Sequence, residues 1–454
     1  MKNILVQKTF KLWKNFTNGS VNRQIFGTAI IVGIVTAFVK VGSVLKELVI
    51  AWKFGTSDEL DAFFIAFMIP SFVINIVAGS LQSSLIPTYI QVREKEGKKA
   101  AQNLFSGATV WAIVMLVVTT VIMLVTATIY LPLLARGFDK QKLDLTFKML
   151  FAISPLILLN GIIVIWGSIL NAGERFVIAA FTPVCTSVVT VILLLSFEHW
   201  KTFSLIAGLI VGAAIETVIL GIALHRQGIS LIPKWYGFDA HLRQVSNQYL
   251  PMMTGVMLMC STGLVDQGMA AMLSPGSVAA LNYGNRVPGL LLTFVTTALS
   301  TAVLPYFSKM VAHQDWVGIR RTLKNYLLLI MIASLPLAGI LVVFSEPIVS
   351  FLFQRGSFTV SDTRLVAQIQ TCYILQIPFY LGCTLLVRLI SSINSNQILM
   401  YGAGINLIAN IYFNYLFMQK LGIAGIALST SGVYLISFSF LLCFVLQFYG
   451  RCKV

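Results

Sequence analysis

Residues 276–305 read GSVAALNYGNRVPGLLLTFVTTALSTAVLP. The stretch is longer than the roughly 20 apolar residues that cross a bilayer as a helix. Asn282, Asn285 and Arg286 lie near its start, followed by Pro288. An arginine at the centre of a membrane span costs roughly 2.5–3.5 kcal/mol on insertion scales, so such a residue faces a cavity or a partner. Pro288 removes one backbone hydrogen bond and collides with the carbonyl of Gly284, so a bend is expected beside the arginine. A bent membrane helix with a buried cation sets the terms for the other residues.

Of the 454 residues, 57% are hydrophobic and only 11% are charged, with a mean hydropathy of +0.86. Soluble globular chains of this length are not so apolar, so the composition reads as a polytopic membrane protein. Its apolar runs are continuous and about 20 residues long, which favours helices over the shorter alternating strands of a barrel. Twelve spans are expected, near 26–51, 60–88, 104–133, 148–170, 177–197, 203–224, 249–273, 279–307, 325–345, 366–390, 399–418 and 423–447. The first span is full length and ends in charged residues, which reads as a span rather than a cleaved leader.

The net charge of +16 would point to nucleic acid in a soluble chain. Placing the N-terminus in the cytoplasm puts nineteen of the 32 lysines and arginines on the inner side and nine on the outer side. Only Lys40, Lys46, Arg286 and Arg388 remain within spans. The bias follows the positive-inside rule, predicts both termini inside, and removes the case for a nucleic-acid partner. Residues 1–24 mix Lys2, Lys8, Lys11, Lys14 and Arg23 with Leu5, Phe10, Trp13 and Phe16. They read either as a basic amphipathic segment on anionic lipid or as an orientation signal.

An internal repeat divides the chain. Pro70 and Pro87 are matched by Pro288 and Pro305 at an offset of 218, so a bend equivalent to that at Pro288 is expected at Pro70, and SLQSSLIPTY is matched by ALSTAVLPYF. Arg136-Gly137 and Arg355-Gly356 close the following spans at nearly the same offset. This predicts an N-lobe over 25–225, a cytoplasmic connector over 226–248 and a C-lobe over 249–454. Two pseudo-symmetric six-helix lobes around a central cavity form a transporter architecture.

Catalysis finds no support: the four histidines lie in loops or at span ends, without an HExxH pair, and no phosphate-binding GxxxxGK[ST] loop occurs. All of the six cysteines except Cys452 lie in apolar runs and show no metal-site spacing. Lys40 and Glu47 are seven apart, on one face and about 10 Å apart along the axis. Asp61 follows Asp58 and Glu59 at the start of span two and is a candidate ion-pair partner for Lys46 or Lys40. Lysines in one half and Arg286 in the other predict a cationic cavity, which suits an anionic diphosphate headgroup. Arg388, at the end of span ten, either joins that cavity or snorkels to the interface. Asp266, Asn410, Asn414 and Thr430 fall at similar depth. They read as a hard-cation site or as polar glue between helices.

The phrases DAFFIAFMIPSF, SSLIPTY, GSVAALNYGNRVP and TAVLPYFSK resemble the MurJ/MviN lipid II flippases of the multidrug/oligosaccharidyl-lipid/polysaccharide exporter superfamily. The resemblance runs from about Thr36 to the C-terminus. It implies flipping of a polyprenyl-diphosphate-linked saccharide by alternating access, in the cytoplasmic membrane and without an enzymatic step. The family's basic span-one positions fall on Lys40 and Lys46, its span-two acid on Asp61 and its span-eight arginine on Arg286. The acid that often precedes that arginine is Asn285 here, and a further cavity arginine would fall on Ile74. The resemblance also implies a coupling sodium ion at Asp266, Asn410, Asn414, Thr430 and the backbone of Ile426, with no other cofactor. Two further C-terminal helices of typical members, thought to form a groove for the lipid tail, are not expected within these 454 residues. Related readings are an exopolysaccharide or O-antigen flippase and a small-molecule cation exporter. A membrane scaffold for envelope synthesis is the alternative of a different class.

Overall fold

The computed structural model describes residues 21–173, 175–393 and 395–451. Residues 1–20 of the basic N-terminal segment lie outside them. Every regular element among the described residues is helical. Each of the twelve expected spans has a helical counterpart, from Val21–Phe54 to Ile423–Arg451, and Ser345–Phe353 adds a short helix between spans nine and ten. Among the described residues, eight helical stretches are long and apolar enough to cross a membrane by length and composition.

Four spans are interrupted, and proline explains each break. Span four divides into Lys140–Ile153 and Pro155–Ala172, and span five into Phe176–Phe181 and Pro183–Ser196. Span eight divides at Asn285, between Ser277–Gly284 and Arg286–Ala312. Span ten divides between Val360–Ile374 and Ile377–Ser392, just ahead of Pro378. The missing proline N–H opens the hydrogen-bond ladder at or just before each ring. Pro70, the repeat partner of Pro288, behaves differently. It lies inside the unbroken helix Asp58–Ile74, and the distortion follows it as a widened π-type turn over Asn75–Gly79. The expected equivalent bend is therefore displaced along the chain, at a turn type that accommodates one extra residue.

Apolar side chains cover the outside of several spans. Val114, Val118, Val121, Val125, Ile129 and Leu133 are exposed along Lys98–Leu134, as are Leu328, Leu329, Ile332, Leu335 and Val343 along Trp316–Val343. In water, contiguous faces of this kind would drive association; against lipid they are the natural surface.

The chain forms two compact units. One comprises the described residues up to Val49, with Val77–Val118 and Pro155–Tyr249. A close helix crossing in it is set by Gly208 and Gly212 on Thr202–His225. A Cβ at either glycine would lie 2.6 or 2.5 Å from the Cα of Thr190 or Thr186. Small residues four apart allow two membrane helices to meet backbone to backbone. Polar contacts tie the loop ends of this unit, with Arg93 donating to the Ala172 carbonyl at 2.8 Å and Ser106 donating to the Lys234 carbonyl at 2.9 Å.

The other unit comprises Ile50–Ile76, Thr119–Ser154 and Leu250–Val454. Phe307, Leu323, Leu385, Leu386 and Val445 form part of its core. Tyr283, Phe353 and Phe358 pack as an aromatic cluster, with centroid separations of 5.3–5.7 Å.

Candidate functional site

Asp61 is 1% exposed and organises one end of the second unit. Asp58, Glu59 and Asp61 occupy the first turn of Asp58–Ile74, where carboxylates complement the helix dipole. Asp61 turns away from its own helix end and caps another. Its Oδ2 accepts the Gly276 N–H at 2.7 Å, and its Oδ1 accepts the Ala279 N–H at 2.8 Å. These amides belong to the start of Ser277–Gly284, which has no side-chain cap of its own. Lys142 Nζ donates to Asp61 Oδ2 at 2.9 Å and also to Asp58.

Gly276 makes this approach possible. Its φ of +82° is a left-handed conformation, and a Cβ there would lie 2.3 Å from the Thr56 carbonyl. Two further contacts join first-half and second-half segments nearby: Ser357 N–H donates to the Trp52 carbonyl at 2.9 Å, and Thr56 donates to Asp362. Together they make a closed seam at this end of the spans.

The pairing read from the sequence is corrected here. Asp61 pairs with Lys142, which the sequence reading placed in a loop, and not with Lys40 or Lys46. Lys46 instead lies 3.5 Å from Glu47, and Lys40 is half-buried on the same helix. Arg286, also half-buried, opens the second piece of span eight, with Asn285 exposed at the break before it. Ile74, where the resemblance expects an arginine, is buried at the end of its helix.

A cavity of about 640 Å³ lies within the second unit. Asp266, Asn406, Asn410, Thr430 and Arg388 are among its lining residues. Asp266 is held from one side by spans eleven and twelve. Asn410 and Asn414, one helical turn apart on Asn396–Leu421, donate to its Oδ1 at 2.9 and 2.7 Å. Thr430 lies 3.4 Å from Oδ2 and 3.3 Å from the Ile426 carbonyl. Both asparagines are buried, and their Oδ1 atoms find no hydrogen-bond partner among the described residues. Unsatisfied buried oxygens beside a carboxylate, a hydroxyl and a carbonyl are suited to a hard cation. Turning either amide would present its oxygen inward, because the two amide ends are nearly isosteric. The residues implied for a sodium ion thus converge and fit one.

The family model described as "Lipid II flippase MurJ" matches residues 50–450. The chain belongs to that family. A probable lipid II flippase MurJ of Synechocystis sp. is 27% identical over 440 residues, covering 92% of this chain and 81% of the relative. The corresponding Rickettsia prowazekii protein is 26% identical over 416 residues, covering 90% and 81%. Among solved structures, a lipid II flippase MurJ in an inward closed conformation superposes with a TM-score of 0.79 at 24% identity, covering 92% of this chain and 87% of that one. An inward-facing MATE-family multidrug transporter gives 0.77 at 13% identity, covering 93% and 99%. The two-lobed helical fold of these transporters is the fold of this chain. As a MurJ-family member with these apolar helices, it is a multi-pass protein of the bacterial cytoplasmic membrane.

The sequence reading missed two charged positions. Lys142 carried no signal, since it sits among basic residues of a loop-like stretch. Glu216 did carry one: it is the single acid within the apolar run of span six. In the structure Glu216 is 5% exposed and accepts hydrogen bonds from Thr182 and Thr186, both at 3.1 Å.

Proposed function

We propose that this protein flips a polyprenyl-diphosphate-linked saccharide, lipid II or a close relative, across the cytoplasmic membrane by alternating access. Membership of the MurJ family over residues 50–450 carries this reading. The two moving bodies are the six-helix halves 25–225 and 249–454, joined by the connector 226–248. Both termini face the cytoplasm, and the basic segment 1–24 rests on anionic lipid.

Lys40, Lys46 and Arg286 grip the diphosphate, the arginine through two parallel N–H donors and the lysines as mobile charges. Asn285, exposed beside Arg286, and Arg388 offer further polar contacts. Asp61 has a different part. By capping the Ser277–Gly284 helix it latches the two halves at the outer face, and releasing that latch belongs to the outward-opening step. Asp266, Asn410, Asn414, Thr430 and the Ile426 carbonyl would hold a sodium ion, which supplies a positive charge tying spans seven, eleven and twelve.

The test is transport of a fluorescent diphosphate-linked saccharide in proteoliposomes. Arg286→Ala is expected to abolish flipping while the purified protein keeps its wild-type melting temperature. Normal flipping by Arg286→Ala would overturn the grip. Mass spectrometry of co-purifying lipid that finds only bulk phospholipid would remove the substrate class.

A further inference from the structure

We propose that Glu216 is a proton-binding site in the first unit, a carboxyl group that takes up and releases a proton between two membrane helices. This goes beyond the flippase reading and does not depend on its substrate.

The geometry begins with the close crossing of Thr202–His225 and Pro183–Ser196. Gly208, Gly212 and Glu216 follow one another at four-residue intervals on one ridge. They face Thr190, Thr186 and Thr182, which descend the neighbouring stretch at the same interval. The two glycines bring the backbones together, so the carboxyl one turn further on is enclosed. Each of its oxygens receives one hydroxyl, from Thr182 to Oε1 and from Thr186 to Oε2.

No cation lies within ion-pair distance of Glu216 among the described residues. The facing elements offer little else that titrates. Pro183–Ser196 contributes only the Cys185 thiol, and neither Phe176–Phe181 nor Pro155–Ala172 carries a titratable side chain. The turn Glu198–Trp200 supplies Glu198 and His199 at the far end of the helix, and the helix itself adds His225 at its last residue. Arg175 precedes Phe176–Phe181 as its cap residue. A carboxyl group in apolar surroundings is tolerated as a carboxylate paired with a cation or as the neutral acid.

The break in span five provides for the neutral form. Pro183 has no N–H, so the carbonyl of Ala179 loses the helical donor it would otherwise receive. The Thr182 hydroxyl lies 3.4 Å from that carbonyl and 3.1 Å from Glu216. With the carboxylate ionised, Thr182 donates to Glu216. When a proton from water binds Oε1, the new O–H donates to Thr182 Oγ1, and the Thr182 hydrogen swings to the Ala179 carbonyl. Thr186 keeps donating to Oε2 throughout. Both protonation states are hydrogen-bonded, and one rotating hydroxyl links them.

The test uses the full-length protein in lipid nanodiscs without substrate. Infrared difference spectra are recorded from mildly acidic to mildly alkaline pH for wild type and Glu216→Gln. A carboxylic-acid C=O band is expected that disappears as the pH rises and is absent from Glu216→Gln. Thr182→Val is expected to shift its frequency, since the acid loses its acceptor. Labelling of the wild-type chain with dicyclohexylcarbodiimide, which attacks protonated carboxyls in apolar sites, gives a readout that needs no variant. The Glu216 peptide is expected to be modified, and less so at alkaline pH. The proposal is overturned if no Glu216-dependent acid band or label appears at any pH. It is equally overturned if sodium, and not pH, governs the Glu216 signal.

Discussion

Asp61→Ala is expected to release the seam that joins the two halves of the chain. In the closed arrangement the carboxylate accepts two backbone N–H groups and the Lys142 ammonium, with Asp61 almost fully buried. Removing one member of a buried, hydrogen-bonded ion pair costs about 3–5 kcal/mol. The lower part of that range applies, because Lys142 retains Asp58 and the freed amides meet water once the seam parts. A loss of about 3–4 kcal/mol lowers the closed-to-open ratio by roughly 10²- to 10³-fold. The assay is a distance measurement between spin labels on Lys53 and Arg364, in a background with the native cysteines replaced. Wild type is expected to give one short, narrow distribution, and Asp61→Ala a dominant longer one. Asp61→Asn keeps an acceptor for one amide and should fall between them. If Asp61→Ala retains the single short distribution, the carboxylate is not the latch.

Gly276→Ala is expected to lengthen the same label distance, because it places a Cβ 2.3 Å from the Thr56 carbonyl at a left-handed backbone position. Gly212→Leu should lower the melting temperature in detergent, with a loss of about 1–3 kcal/mol from overpacking against Thr186. A wild-type melting point in that variant would contradict the crossing described. The Asp266 cluster predicts that sodium chloride, but not potassium chloride, raises the melting temperature, and that Asp266→Asn abolishes the difference. Equal melting in both salts would remove the sodium reading.

The helical class and the family were legible because they rest on long apolar runs and on local phrases around Pro70, Pro87, Pro288 and Pro305. The convergence of Asp266 with Asn410, Asn414 and Thr430 was partly legible, since one-turn spacing puts the two asparagines on one face. The sequence could not say which carboxylate meets which cation. Asp61 and Lys142 are 81 residues apart, and their meeting depends on how spans two and four pack. Nor could spacing show that Asp61 caps the backbone of a helix 215 residues away. The position of the distortion in span two was misread for a related reason. Proline marks where a hydrogen bond is lost, whereas the surrounding packing decides where the helix widens to absorb it.

The latch at Asp61 constrains the sequence unequally. From the first half it uses an aspartate and a lysine, and from the second half only peptide N–H groups. Every residue type except proline presents such a group. The hydrogen bonds of the closure therefore place no demand on the identity of the side chains at 277–279, which are held instead by their burial, provided the glycine at 276 is kept. The demand on side-chain chemistry thus falls on Asp61 and Lys142 of the first half, and the second half supplies backbone alone.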